Sequence, residues 1–482
     1  MVFSTPIFLF VFLPLTVLAF YIVNRRLGHE AGLILLLAAS LVFYGWWDVR
    51  FLPLILGSIL VNYLLARAIT PGNGGWLLTF GVALNLGALG VFKYADFFVR
   101  NVNALTGMEL AEPGLPLPLA ISFFTFQQIA FLVDCSRRVT APDGKPHRYS
   151  LFVAFFPQLI AGPIVHHRLL SPQLGETGRQ RDISANLGIG LSIFAVGLAK
   201  KVLLADNLAP YANAAFDTAA AGEPVGLWLA WTGALAYTLQ IYFDFSGYSD
   251  MAMGIARMFG FQLPVNFNAP YKARNITDFW RRWHITLSQF LRDYLYVSLG
   301  GNRKGYARML ANLMIVMLLG GLWHGAAWTF VVWGGLHGTA LVWCRVLDRY
   351  LPDGLFGRFW FLSSAFTFLF VVITWVFFRA ASFDAASIML QGMAGLNGLG
   401  ANPGDGPFIA AVIGLILIWS LPETAQIFFR QIEDGVLKTA NVSPPRKERW
   451  KPNLRWSVGL SILLFACMIA SWSYSEFIYY NF

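Results

Sequence analysis

Apolar residues run almost unbroken through twelve stretches of this chain, near 6–23, 31–47, 51–66, 76–92, 115–134, 183–203, 227–249, 309–320, 323–343, 359–378, 407–428 and 456–475. A helix crosses a roughly 30 Å hydrocarbon core in about 20 residues, the length of most of these runs. Because the runs are continuous and lack the two-residue alternation of barrel strands, they predict membrane-crossing helices and disfavour a β-barrel. The expected fold is an all-α polytopic membrane protein with about 11–12 transmembrane helices, organised as one integral-membrane domain over 1–482.

Three segments depart from this rhythm. In Phe155-Phe156-Pro157-Gln158-Leu159-Ile160-Ala161-Gly162-Pro163, two prolines and a glycine cannot sustain a helix across lipid, where freed backbone groups need partners inside the protein. A buried re-entrant turn is expected there. The run 309–320 rises only about 18 Å and ends in Gly320-Gly321, just before Trp323-His324, which predicts a locally thin membrane or a water-filled cavity. From Ile276 to Leu295, apolar Ile276, Phe279, Trp280, Trp283, Leu287, Phe290, Leu291 and Tyr294 recur at steps of three and four, opposite Arg281, Arg282, Gln289, Arg292 and Asp293. This spacing predicts an amphipathic helix within a cytoplasmic segment 266–308, lying at the interface or tucked under the bundle. His284 falls toward its apolar side.

Composition narrows the class further. With 57% hydrophobic and 12% charged residues, the chain is no ordinary soluble enzyme. Its net charge of +10 is unevenly placed, and basic residues mark cytoplasmic loops. The first 23 residues carry no Lys or Arg, unlike a cleaved signal, and Arg25-Arg26 follow, so the N-terminus is expected outside. Alternation then puts 137–148, 272–308 and 430–455 inside, and the Lys- and Arg-free segments 204–226, 380–406 and 474–482 outside. The basic excess therefore reads as topology and contact with anionic lipid, with no nucleic acid implied. Cys135, Cys344 and Cys467 form no CxxC pair, and adjacent His166 and His167 cannot share one helical face, so no metal site is indicated.

Ionisable groups at membrane depth usually face an interior path, which makes His324 the leading functional candidate. His284 is either a hydrogen-bonded structural residue or part of an inward-facing site. His337, about 20 Å further along if the helix is continuous, reads as structural. Asp244 and Asp250 read as partners of nearby arginines. Twelve spans and a midplane histidine would also suit a transporter, but no repeat between halves is found. A catalytically silent scaffold of a membrane complex is a third reading.

The runs Asp278-Phe279-Trp280-Arg281-Arg282-Trp283-His284, Arg292-Asp293-Tyr294-Leu295-Tyr296, Gly300-Gly301-Asn302-Arg303 and Gly320-Gly321-Leu322-Trp323-His324-Gly325 resemble the signature of the membrane-bound O-acyltransferase (MBOAT) family. More narrowly they resemble its bacterial branch, typified by the membrane subunit of alginate O-acetylation; the branch that D-alanylates teichoic acids shares the two-histidine layout. Supporting matches are Ile121 to Gln127, Phe156 to Pro163 and Asp244 to Asp250. The resemblance implies a ring of helices around a thinned centre, an acyl donor such as acetyl-coenzyme A entering from the cytoplasm, and no permanently bound cofactor. The family's invariant histidine maps onto His324 and its partner histidine onto His284. His284 would orient His324, polarise the thioester carbonyl or position the donor. The cations of 272–308 would hold donor phosphates as well as lipid.

The tail 474–482, with Phe477-x-x-Tyr480-x-Phe482, reads by composition as an interfacial aromatic anchor. It also resembles a terminal motif of bacterial acylation systems, in which Tyr480 would carry the acyl group to a partner. The outer loops are short and poor in charge, so transfer to the polymer is expected from an extracytoplasmic acetyltransferase partner.

Overall fold

The computed structural model describes residues 1–70, 74–177, 182–350, 359–428 and 450–470, together with Gln180, Arg430, Ile432, Val436, Ala440 and Val442. Among them every regular element is helical. Among the described residues, seven helices are long and apolar enough to cross a membrane: Phe8–Leu27, Val49–Ala68, Gly74–Thr106, Ile183–Ala220, Tyr306–His324, Trp328–Tyr350 and Trp360–Arg379. Shorter apolar helices lie at His29–Gly45, Ile121–Ser136, Asp405–Ser420 and Leu454–Ala470. Large apolar side chains such as Leu18, Leu60, Phe366, Phe408 and Phe465 stay exposed on these helices, as lipid-facing residues do. The chain is an all-α, multi-pass membrane protein.

The contacts divide it into two compact units, one of residues 1–195 with 248–264 and the other of 196–247 with 265–482. In the first, the Pro-Gly segment forms a single helical turn, Phe156–Leu159, fully buried. Its backbone is served from within the protein: the Phe156 N–H donates to Ser40 Oγ at 3.2 Å, and the Phe156 ring packs on Phe12 and Phe43 at 5.4 and 5.3 Å. His167 lies between Asp143 Oδ2, 2.8 Å from its Nε2, and Thr140 Oγ1, 3.0 Å from its Nδ1, so its role in this unit is to tie a loop to the bundle.

In the second unit, three expectations from sequence are corrected. Most of the segment 204–226 is helix and not loop: a π-helical stretch, Lys200–Ala205, runs straight into the helix Asp206–Ala220. At the junction Asp206 pairs with Lys201, whose Nζ lies 2.7 Å from Asp206 and 2.8 Å from Asp244. Asp244 is thus held by a lysine. The run 309–320 is the interior of a longer helix, Tyr306–His324, whose 19 residues rise about 28 Å, so its length alone requires no thinning. The amphipathic stretch is not one helix. It breaks into Ile276–Trp280, a turn ending at His284 with φ 42°, then Ile285–Phe290 and the π-helical Leu291–Tyr296. Its aromatic side chains Phe279, Trp280 and Trp283 are buried in protein rather than laid on lipid.

The helices Tyr306–His324 and Trp328–Tyr350 form an antiparallel hairpin through Gly325–Ala327. Their backbones touch. A Cβ on Gly321 would sit 2.2 Å from the Phe330 carbonyl oxygen, and one on Gly334 would sit 2.2 Å from that of Met317. Small residues permit this in a membrane, where helices associate by close packing and not by a hydrophobic driving force.

Gly321→Ala should therefore lower the thermal stability of the purified protein by about 1–3 kcal/mol, the cost of overpacking, whereas Gly320→Ala, whose new Cβ would meet only Leu291 Cδ1 at 3.4 Å, should leave it near wild type. Equal melting of the two variants would contradict the close crossing.

Candidate functional site

The hairpin ends on His324, the last residue of its helix, with a side chain only 2% exposed. Its imidazole sits in an aromatic box, with ring centroids of Trp323 at 4.9 Å, Trp333 at 5.1 Å and Phe378 at 5.1 Å. Trp333 is held in turn against Trp375 at 5.7 Å, nearly parallel.

His284 is fully buried, edge-on to Phe245 at 4.7 Å, and its ring lies 6.3 Å from that of Trp323. Trp323 therefore neighbours two histidines: the structure brings His284 and His324 to one indole from separate elements. Burial lowers the His284 imidazole to about 3, so it is neutral across the physiological range. Its Nδ1 is 3.1 Å from Asn266 Oδ1, while its Nε2 is buried with no hydrogen-bond partner among the described residues.

His337 is not 20 Å beyond His324, because the hairpin turn folds the second helix back. It reaches the same cluster, 4.7 Å from Trp333. Both its nitrogens are engaged: the Trp280 indole N–H donates to Nδ1 at 3.3 Å, which leaves the ring proton on Nε2 to donate to Thr374 Oγ1 at 3.0 Å. The Thr374 hydroxyl passes its own proton to the Val371 carbonyl. A histidine with both nitrogens committed to the framework has none left for a substrate.

What gathers here is one neutral imidazole with an unengaged nitrogen and a second one boxed by aromatic rings. A neutral imidazole is suited to taking a proton from a hydroxyl near pH 7, and an apolar surround strengthens any charge that develops. Sequence reasoning missed Asn266, whose only signal is two asparagines, Asn266 and Asn268, in an otherwise apolar loop. It also missed Trp333 as the ring joining His324 to His337. Tyr480, with the whole segment 474–482, lies outside the described residues.

The model of MBOAT, the membrane-bound O-acyltransferase family, matches residues 122–383. The chain is 44% identical over 429 residues to a peptidoglycan O-acetyltransferase of Helicobacter pylori, covering 83% of this chain and 81% of that protein. It is 44% identical over 403 residues to a probable alginate O-acetylase of Azotobacter vinelandii, covering 82% and 78%. A teichoic acid D-alanyltransferase of Bacillus subtilis is 25% identical over 278 residues, covering 55% and 69%.

Replacing His337 with leucine strands the Trp280 N–H and removes the donor to Thr374 Oγ1, which should cost about 1–3 kcal/mol in stability. Thermal unfolding in detergent measures it; an unchanged melting temperature would show that these hydrogen bonds do not support the fold.

Proposed function

The chain belongs to the membrane-bound O-acyltransferase family and is an O-acyltransferase, and from that premise we propose that it passes an acetyl group from a cytoplasmic thioester, acetyl-coenzyme A or a similar donor, across the bacterial cytoplasmic membrane for O-acetylation of an exported polysaccharide. The observation that carries this reading is the convergence of His284 and His324 on Trp323 inside a buried aromatic box. His324 takes the proton of an attacking hydroxyl; the hydroxyl oxygen forms its bond to the thioester carbonyl carbon, and the C–S bond breaks. The imidazolium then returns the proton to the departing thiolate, so the base is regenerated and no metal or redox partner is consumed. His284 assists from beside Trp323.

Alginate is the first reading for the polymer. The equal 44% identity to a peptidoglycan O-acetyltransferase supports a peptidoglycan acceptor as the alternative, and the more distant teichoic acid relative supports D-alanyl transfer less. Tyr480 is the proposed carrier: its phenol receives the acetyl group as an aryl ester and passes it to an extracytoplasmic acetyltransferase partner that modifies the polymer. A phenol with a pKa near 10 needs a base to become nucleophilic, a role that falls to His324. In this reading both termini and 204–226 face outward and the segment 266–308 faces the cytoplasm.

His324→Ala should lower polymer acetylation by about 10²–10⁴, the usual scale of general base catalysis, with protein level and membrane complex intact. His284→Ala should lower it strongly. Tyr480→Phe should abolish polymer acetylation while leaving the complex assembled. Full acetylation in the His324 variant would refute the base, and in the Tyr480 variant the relay.

Orientation has its own test. A membrane-impermeant thiol reagent added to whole cells should label Glu223→Cys and spare Lys304→Cys; the opposite pattern would invert the topology.

A further inference from the structure

His284 stands in a left-handed conformation, φ 42° and ψ 55°, which an L-residue with a side chain adopts only when its surroundings impose it. Asn266 supplies several of the bonds that impose it here. Asn266 is itself buried, and its backbone carbonyl accepts the Ile285 N–H at 2.9 Å. Its side-chain Oδ1 accepts from the Thr286 N–H at 3.3 Å and the Thr286 hydroxyl at 2.9 Å, and it lies 3.1 Å from His284 Nδ1. The two residues that follow His284 are thus pinned to Asn266 on both its main chain and its side chain, which fixes where the imidazole points.

The same bonds settle the ring's protonation. The orientation of an asparagine amide is assigned from its partners, and here one partner is unambiguous. A backbone N–H can only donate, so the Asn266 atom that faces Thr286 is the carbonyl oxygen. An oxygen cannot donate, so the His284 nitrogen beside it must carry the hydrogen. The single ring hydrogen of a neutral imidazole is then spent on Nδ1, and Nε2 is left with its lone pair.

Resting on the reading of His284 as part of the transfer site, we infer that Asn266 is a positioning residue that holds His284 in the Nδ1–H tautomer, so that His284 enters the reaction as an acceptor at Nε2. This removes one of the roles left open for it. A neutral His284 in this tautomer cannot donate from Nε2 to a thioester carbonyl; it can accept a hydrogen bond there, from the attacking hydroxyl or from a His324 that has taken a proton. The burial that keeps His284 neutral acts in the same direction.

The test is made on the full-length protein with ¹⁵N-labelled histidine in lipid nanodiscs, with His284→Gln used to assign the His284 resonances. In the wild type, His284 should show a pyrrole-type Nδ1 and a pyridine-type Nε2. Asn266→Ala should move the ring toward the Nε2–H form or a mixture. It should also lower acetylation roughly 10- to 100-fold, the loss seen when the outer partner of a metal-bound histidine is removed. Asn266→Asp keeps the acceptor, so it should keep the Nδ1–H signature and recover much of the activity. Its carboxylate stabilises imidazolium, so the acidic limb of its pH–rate profile should move to higher pH.

An Nε2–H His284 in the wild type, or a tautomer unchanged in Asn266→Ala, overturns the assignment. Should the alanine variant fail to fold, the aspartate variant decides: an unshifted pH profile would also overturn it. The spectrum is read without turnover. If His284→Ala retained full acetylation while the wild-type spectrum showed Nδ1–H, the role of His284 in transfer would fall and the tautomer assignment would stand.

Discussion

The backbone-to-backbone crossing of Tyr306–His324 and Trp328–Tyr350 at Gly321 and Gly334 is the constraint on which the rest of the site depends. Each glycine faces a carbonyl oxygen of the opposite helix at a distance no side chain could occupy. In lipid, where burying apolar surface between helices brings little, such proximity is how a helix pair gains dispersion and a fixed register. Register matters here because Trp323 and His324 follow Gly321 directly, while Trp333 and His337 flank Gly334 on the other strand of the hairpin. Fixing the two glycines against each other sets His324 beside Trp333 at 5.1 Å and Trp333 beside His337 at 4.7 Å.

Around that crossing the protein separates two kinds of histidine by what is left for each nitrogen to do. His337 is locked by Trp280 and Thr374 and braces the aromatic cluster. His284 is held on one nitrogen by Asn266 and leaves the other unengaged. His324 is enclosed by rings. Polar groups that would be costly in an apolar interior are paired elsewhere, as Lys201 is with Asp206 and Asp244, so charge in this unit is balanced locally.

The membrane class and the main spans could be read from the chain, and His324 picked out as a candidate, because hydrophobicity and a helix-end histidine are local signals. The same locality explains the misreadings. Arg308 made Tyr306–Arg308 look like loop, although its exposed side chain sits comfortably at the end of a spanning helix; the argument from a short span therefore reached His324 through a premise that fails. Asp206 and the turn-like Ala-Gly composition near 220 concealed a continuous helix whose Lys201–Asp pairs close only in three dimensions. The periodicity of Ile276 to Leu295 is real, yet its helix breaks at His284, because Asn266, far back in sequence, supplies bonds that no local pattern encodes. The placement of His337 failed for a similar reason: the turn at Gly325–Ala327 reverses the chain between two equally apolar runs.

The most direct measurement of the central claim is a structure of the full-length protein with a non-hydrolysable analogue of acetyl-coenzyme A in which a ketone replaces the thioester. The account expects the ketone carbonyl beside Trp323, between the imidazoles of His324 and His284, with the space for an attacking hydroxyl within about 3 Å of a histidine nitrogen. An analogue bound with its carbonyl remote from Trp323 and out of reach of both imidazoles would contradict it.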